Sequence, residues 1–97
     1  MMPLDLKTIR AQFPALMRPT IFLDNPGGTQ VARSCLERMS HYLVETNANH
    51  GGTFQTSRDS DALVEQARQA AADFLNARLP EEIVFGANMT TLTFQVS

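Results

Sequence analysis

Two stretches of helical periodicity, each next to a short apolar run, place the strongest constraint on the fold of this chain. Apolar residues recur at helical spacing over residues 31–45 and again over residues 61–77. The apolar runs at residues 21–23 and 83–86 are too short for helices, and loop-forming residues follow them. The runs therefore predict buried strands, and the order of elements predicts an incomplete α/β domain in which helices alternate with short strands.

Length and composition limit the kinds of function that this chain could have. The 97 residues suffice for one small domain or for a piece of a larger one. A formal net charge of −2 provides no basic surface, so nucleic acid is not an expected partner. The sequence contains no apolar run long enough to cross a membrane and no signal-peptide pattern, and its one cysteine excludes an internal disulfide framework. A cytoplasmic location is the resulting expectation.

Metal binding is not expected from the histidine and cysteine positions. Cys35 and His41 fall within one predicted helix but six residues apart, which places them on opposite faces. Neither residue has a partner nearby in the sequence that could activate it as a nucleophile.

Cap residues predict where the helices begin. Asp5 can cap a short N-terminal helix that Pro14 ends. Residues 59–61, with sequence DSD, predict the cap of the helix over residues 61–77, and residues 53–58 are then a loop. Residues 91–96 alternate polar and apolar side chains, which favours a strand, whereas the preceding glycine-led turn favours a helix from Met89. We expect the helix, because an anion cradle after Gly86 requires free N–H groups that a strand would engage.

Three loops are candidates for function, and each also has a purely structural interpretation. The segment 86–91 would form an anion cradle at a helix N-terminus, or only an ordinary strand-to-helix turn. The segment 25–29 would let a ligand approach the backbone closely, or only connect a strand to a helix. The segment 47–52 would form the mouth of a site, or only a helix C-cap with a solvated loop.

Taken in order, these segments resemble the N-terminal part of class V aminotransferases. The resemblance rests on IFLDNPGGTQV at 21–31, NANHGG at 47–52, AR at 67–68, FLNA at 74–77 and IVFGANMT at 83–90. It is strongest to the cysteine-desulfurase-like group of the fold-type I pyridoxal 5'-phosphate (PLP) enzymes. The resemblance covers nearly all of residues 1–97, which would be about the first quarter of a complete member, so the chain is interpreted as a truncated domain.

The resemblance implies a cofactor site at residues 88–90. Asn88, Met89 and Thr90 lie where family members have a small residue and two threonines that hold the PLP phosphate. Thr90 matches that pattern, whereas Met89 replaces a threonine and offers only its backbone N–H.

The resemblance also implies a substrate entrance built from two loops. Asn25, Gly27 and Gly28 fall beside the substrate, although family desulfurases commonly have Ala-Ala where this chain has Pro-Gly-Gly. Asn49 and His50 resemble a His-Arg-Gly loop at the active-site mouth, without its arginine.

No catalytic residue of the family maps onto this chain. Lys7 is the only lysine, and it precedes the position of the lysine that forms a Schiff base with PLP. The resemblance thus implies part of a homodimeric PLP enzyme acting on an amino acid, with cysteine desulfurase-like or aminotransferase chemistry, and inactive as residues 1–97 alone. The alternative is a small stand-alone anion-binding or interaction module without catalysis.

Overall fold

Four α-helices provide most of the regular structure in the computed structural model, which describes residues 2–97. They are α1 (Leu6–Ala11), α2 (Arg33–His41), α3 (Gln55–Leu75) and α4 (Met89–Val96). Short 3₁₀ helices occupy Pro14–Met17, Asn25–Gly27 and Pro80–Glu82, and a π-helical segment, Tyr42–Thr46, follows α2. The chain divides into two compact units, Met1–Asn47 and Ala48–Ser97, and each is described by itself.

The expected alternation of helices with strands is wrong for this structure. Within residues 2–97 no segment pairs as a strand, and both residues 21–23 and residues 83–86 are irregular. A strand exists only when its backbone groups bond to a neighbouring strand, which an apolar run cannot supply by itself. Ile21 and Leu23 are 82% and 89% exposed, so they are not buried either.

The first unit begins with a capped helix. The Asp5 carboxylate accepts hydrogen bonds from the backbone N–H groups of Lys7 and Thr8, at 3.1 and 3.2 Å, which confirms it as the cap of α1. The pKa of Asp5 is lowered mainly by a hydrogen bond from the Thr8 hydroxyl, and further by these two backbone bonds. The N–H of Arg33 donates to the Gln12 carbonyl at 2.7 Å and joins the start of α2 to the end of α1.

Helix α3 begins about six residues earlier than the sequence predicted. Phe54 is its N-cap residue, and residues 59–61 lie within the helix instead of capping it. Side chains of the first turn stabilise this earlier start: Gln55 donates to Asp59 at 2.6 Å, and Arg58 donates to Gln55 at 2.8 Å and to the Thr53 carbonyl. The interpretation of residues 53–58 as a loop is therefore wrong for most of that segment.

The other end of α3 is a left-handed cap. Asn76 has φ 55°, and its N–H donates to the carbonyls of Ala72 and Asp73. Asparagine tolerates this conformation better than most residues because its short polar side chain can bond locally. The helix ends at Leu75, two residues before the predicted end.

Little apolar surface is buried. Ala72 is the one buried hydrophobic residue among residues 2–97, and Ser57 and Ser60 are the buried polar ones. Phe74 on α3 and Phe94 on α4 remain 88% and 77% exposed, although the periodicity of α3 predicts an apolar face that includes Phe74. The apolar faces are thus available for contact with other polypeptide.

Helix α4 confirms the helical interpretation of the last segment. It begins at Met89, as the glycine-led turn predicts, and the alternating pattern of residues 91–96 does not produce a strand. Within residues 2–97 no helix is both long and apolar enough to cross a membrane.

Candidate functional site

The N-terminus of α4 carries the three residues that the resemblance assigns to the cofactor. The Asn88 side-chain oxygen accepts from the Thr91 N–H at 2.8 Å, and the Asn88 carbonyl accepts from the Leu92 N–H at 3.2 Å. Within residues 2–97 the N–H groups of Met89 and Thr90 have no hydrogen-bond partner. Two unpaired donors at the positive end of a helix dipole favour a bound anion, and the exposed Thr90 hydroxyl adds a third donor.

Asn88 contributes differently from its two neighbours. Its side-chain oxygen is engaged with Thr91, so the groups it offers to an anion are its side-chain NH₂ and its backbone N–H. The residue therefore defines where α4 begins as well as lying at the candidate anion site.

Gly86 has a steric reason to be glycine. A Cβ atom built on Gly86 would collide with the Leu92 side chain on the second turn of α4. The chain therefore approaches α4 closely just before it turns into the helix.

The loop after residues 21–23 forms a tight 3₁₀ turn. The N–H of Gly27 donates to the Asp24 carbonyl at 3.1 Å, and that of Gly28 donates to the Asn25 carbonyl at 3.0 Å. A Cβ on Gly27 would lie 2.6 Å from the Asp24 carboxylate, and Gly28 has φ 142°, which L-residues rarely adopt. Both glycines are thus required by the turn itself.

A cavity of about 510 Å³ lies in the first unit, and Asn25 is on its wall. Its lining combines polar residues with aromatic and aliphatic ones: Arg10, Thr20, Asn25, Thr29 and Gln30, and Phe13, Leu16, Ile21 and Phe22. Ligand sites in proteins commonly combine such walls, and of the predicted entrance residues Asn25 is the one that lies here.

In the second unit, Asp61 holds the loop that contains His50. Its carboxylate accepts the Gly51 N–H at 3.2 Å and is hydrogen-bonded to Nδ1 of His50. The hydrogen bond from His50 is the main reason that the pKa of Asp61 lies below its usual value, with a smaller opposing effect of burial. Because a carboxylate only accepts, Nδ1 of His50 donates in this bond, and Nε2 points away from it on a side chain that is 92% exposed.

Two serines complete the attachment of this loop to α3. Ser57, which is fully buried, donates to the Asn49 carbonyl at 2.5 Å and accepts the Gly52 N–H at 2.8 Å. Ser60 donates to the Ala48 carbonyl at 3.3 Å. The sequence analysis missed this role, yet the spacing of Ser57, Ser60 and Asp61 places all three on one helix face, which is the signal that could have revealed it.

The predicted site residues fall into separate groups. Asn25, Gly27 and Gly28 belong to the first unit, whereas Asn49 and His50 and the group 88–90 belong to the second. Within the second unit the loop residues bind α3, and residues 88–90 begin α4. In the part of the chain that the structure describes, no cluster of three or more His, Cys, Asp or Glu residues could hold a metal ion.

Comparison with known proteins shows the family to which this chain is similar. The family model for class V aminotransferases matches residues 21–96. An aminotransferase-like protein of Gibberella zeae is 43% identical over 90 residues, which cover 89% of this chain and 22% of that protein. A protein of Synechocystis sp. named as a probable cysteine desulfurase is 39% identical over 86% of this chain and 21% of that protein. Another of that name, from Vibrio cholerae, is 34% identical over 92% of this chain and 24% of that protein.

The chain spans about a fifth of the length of these curated relatives. No solved structure matches it.

Proposed function

The chain belongs to the class V aminotransferase family, and from that premise we propose that it provides part of the cofactor site of a PLP-dependent enzyme acting on an amino acid. Family membership confirms the resemblance seen in the sequence. Relatives named as cysteine desulfurases and as aminotransferase-like support either of these two chemistries for the whole protein.

The observation that carries the proposal is the pair of unpaired N–H groups at the start of α4. Enzymes of this family are generally PLP-dependent, and PLP serves as an electron sink in reactions of amino acids. The N–H groups of Met89 and Thr90, with the Thr90 hydroxyl, fit a phosphate dianion because all three are donors at the positive end of a helix. Asn88 supplies further donors from its side-chain NH₂ and backbone N–H.

We assign no catalytic role to any residue of this chain. Lys7 is its only lysine and lies in α1 of the first unit, in a segment that the family model does not match. The residues described here would bind and orient the cofactor while other residues of the enzyme supply the reacting amine.

His50 and Asn49 are proposed to line the substrate entrance. Support comes from the exposed imidazole, whose Nε2 remains available while Asp61 holds Nδ1. Asn25, Gly27 and Gly28 are proposed for the same role, because Asn25 lines a cavity and the glycines keep that turn free of side chains. An amino acid substrate has both a carboxylate and an amine that such polar groups could bind.

A homodimer in the cytoplasm is the proposed context of the whole enzyme. The exposed apolar side chains of α3 and α4 support burial against further polypeptide. The single cysteine, Cys35, is free and exposed, which fits a reducing compartment.

Titration of the ¹⁵N-labelled chain with inorganic phosphate and with PLP tests the cradle. The amide resonances of Met89 and Thr90 should shift on saturation, and Thr90→Val should weaken binding by about 1–3 kcal/mol, as expected for a lost hydrogen bond to a charged group. Thr56→Val, the same change on the exposed first turn of α3, is the matched control and should leave the affinity unchanged.

Either of two results would contradict the cradle: no shift at residues 89 and 90, or equal affinity in Thr90→Val and the original chain. Specific binding by residues 2–97 without any activity in the full-length enzyme would favour the stand-alone anion-binding module instead.

A further inference from the structure

The side chain of Arg68, on α3, lies against an aromatic ring, and its Nε has no hydrogen-bond partner. Its guanidinium carbon lies 6.0 Å from the centroid of the Phe85 ring. Its Nε is enclosed and has no hydrogen-bond partner, and its NH1 lies 3.8 Å from the Glu65 carboxylate, beyond hydrogen-bonding distance. The side chain is 34% exposed, so it is largely withdrawn from solvent.

An enclosed N–H without a partner is unfavourable and uncommon in folded proteins. The arginine side chain is long enough to expose its Nε to water. In Arg68 the Nε is buried instead, and the guanidinium lies over the ring of Phe85. Cation–π attraction, which is stronger for a partly desolvated guanidinium, offsets the loss. The Phe85 ring is therefore one of two groups that the Arg68 guanidinium meets, the other being the Glu65 carboxylate.

Phe85 directly precedes the segment that begins α4. The next residue, Gly86, packs against Leu92, and Asn88 then caps the helix. Phe85 itself is 53% exposed and lies in an irregular segment, so no strand ladder fixes its position. The Arg68–Phe85 contact consequently links α3 to the approach to the unpaired N–H groups of Met89 and Thr90.

We propose that Arg68 is a positioning residue for the phosphate site at the start of α4. It acts through Phe85 and does not touch the ligand. The ligand is a phosphate monoester dianion, and this assignment rests on the proposed function. The charge of Arg68 over the ring fixes the Phe85 segment, which in turn fixes the direction of the donors at residues 89 and 90.

The test compares three variants of the 97-residue chain in titrations with inorganic phosphate and PLP. Arg68→Met keeps the apolar stem without the charge, and it should weaken binding about two- to fivefold, the range expected from the loss of one partly exposed cation–π contact. Arg68→Lys keeps a cation over the ring and should recover at least half of the lost affinity. Glu65→Gln removes the neighbouring carboxylate but leaves the stacking, and it should bind as the original chain does.

A second measurement needs no ligand. Backbone ¹⁵N relaxation should show residues 83–89 becoming more mobile in Arg68→Met than in Arg68→Lys, while the N-terminal half of α3 is unchanged. Phe85→Leu should reproduce the effect, and the double variant should be no worse than either single one because both remove the same contact.

The proposal is overturned if Arg68→Met and Arg68→Lys have equal affinity and equal mobility, or if the two substitutions at Arg68 and Phe85 add. If the original chain binds no phosphate, the cradle fails, but the relaxation comparison still decides whether Arg68 positions the segment.

Discussion

Replacing Ser57 by alanine removes a fully buried hydroxyl that joins α3 to the loop before it. Ser57 Oγ donates to the Asn49 carbonyl and accepts the Gly52 N–H, so one substitution breaks two hydrogen bonds. Each such bond contributes about 1–1.5 kcal/mol, and alanine regains about 0.5 kcal/mol through its higher helix propensity. The expected net loss in the free energy of unfolding is therefore about 2 kcal/mol.

The measurement combines urea unfolding, followed by circular dichroism of the helices, with amide hydrogen exchange at Gly52. Exchange is the sharper readout, because it reports the opening of this loop even if other parts of the chain are already weakly ordered. Gly52 should lose protection in Ser57→Ala, whereas the amides in the middle of α2 should not change.

Ser40→Ala provides the matched control for this substitution. Ser40 lies on an exposed face of α2, so the same chemical change should be neutral or slightly stabilising. The reasoning is refuted if Ser57→Ala is as stable as Ser40→Ala and Gly52 exchanges at the same rate in both.

Three further predictions concern the two ends of the second unit. Asn88→Ala should destabilise α4 by about 1 kcal/mol through loss of its cap, measured as reduced helical chemical shifts over residues 89–96. Gly86→Ala should cost about 1–3 kcal/mol, because its Cβ would collide with Leu92; unchanged shifts for the Leu92 methyl groups would refute this. The pKa of Asp61 is lowered in the folded chain, so its contribution to stability is present above the unfolded value of 3.8 and disappears as the pH falls through the lower folded value. Hydrogen-exchange protection of the Gly51 amide should be lost over the same pH range, and Asp61→Asn should abolish this pH dependence.

Sequence reasoning succeeded where the cause of structure is local. The cap at Asp5 and the start of α4 at Met89 depend on residues within one turn of the helix, and both were predicted. It failed where the cause lies elsewhere in the chain. The strands at residues 21–23 and 83–86 needed partners for their backbone groups, and an apolar run contains no information about those partners.

The misplaced start of α3 has a different origin. Ser60 and Asp61 are residue types that favour N-caps, and cap preference alone cannot distinguish a cap from a residue in the second turn whose side chain binds another loop. The family resemblance assigned residues 88–90 and 49–50 to the candidate site, and that assignment stays a prediction. The resemblance could not reveal that Asp61 holds His50 or that Arg68 lies over Phe85, since both contacts join residues more than ten positions apart.

The face of α3 formed by Ser57, Ser60 and Asp61 limits which changes in chain length this region can accept. A single-residue deletion between Gly52 and Ser57 would shorten the connection to a loop that is bonded at both ends. A single-residue deletion between Ser57 and Ser60 would rotate one serine hydroxyl by about 100° around the helix axis relative to the other. Either change would break several of the bonds together, whereas deletions beyond Asp61 would leave all of them intact. Among natural relatives, length variation should therefore be rare between residues 48 and 61 and more frequent after residue 76, where the left-handed cap has already ended the helix.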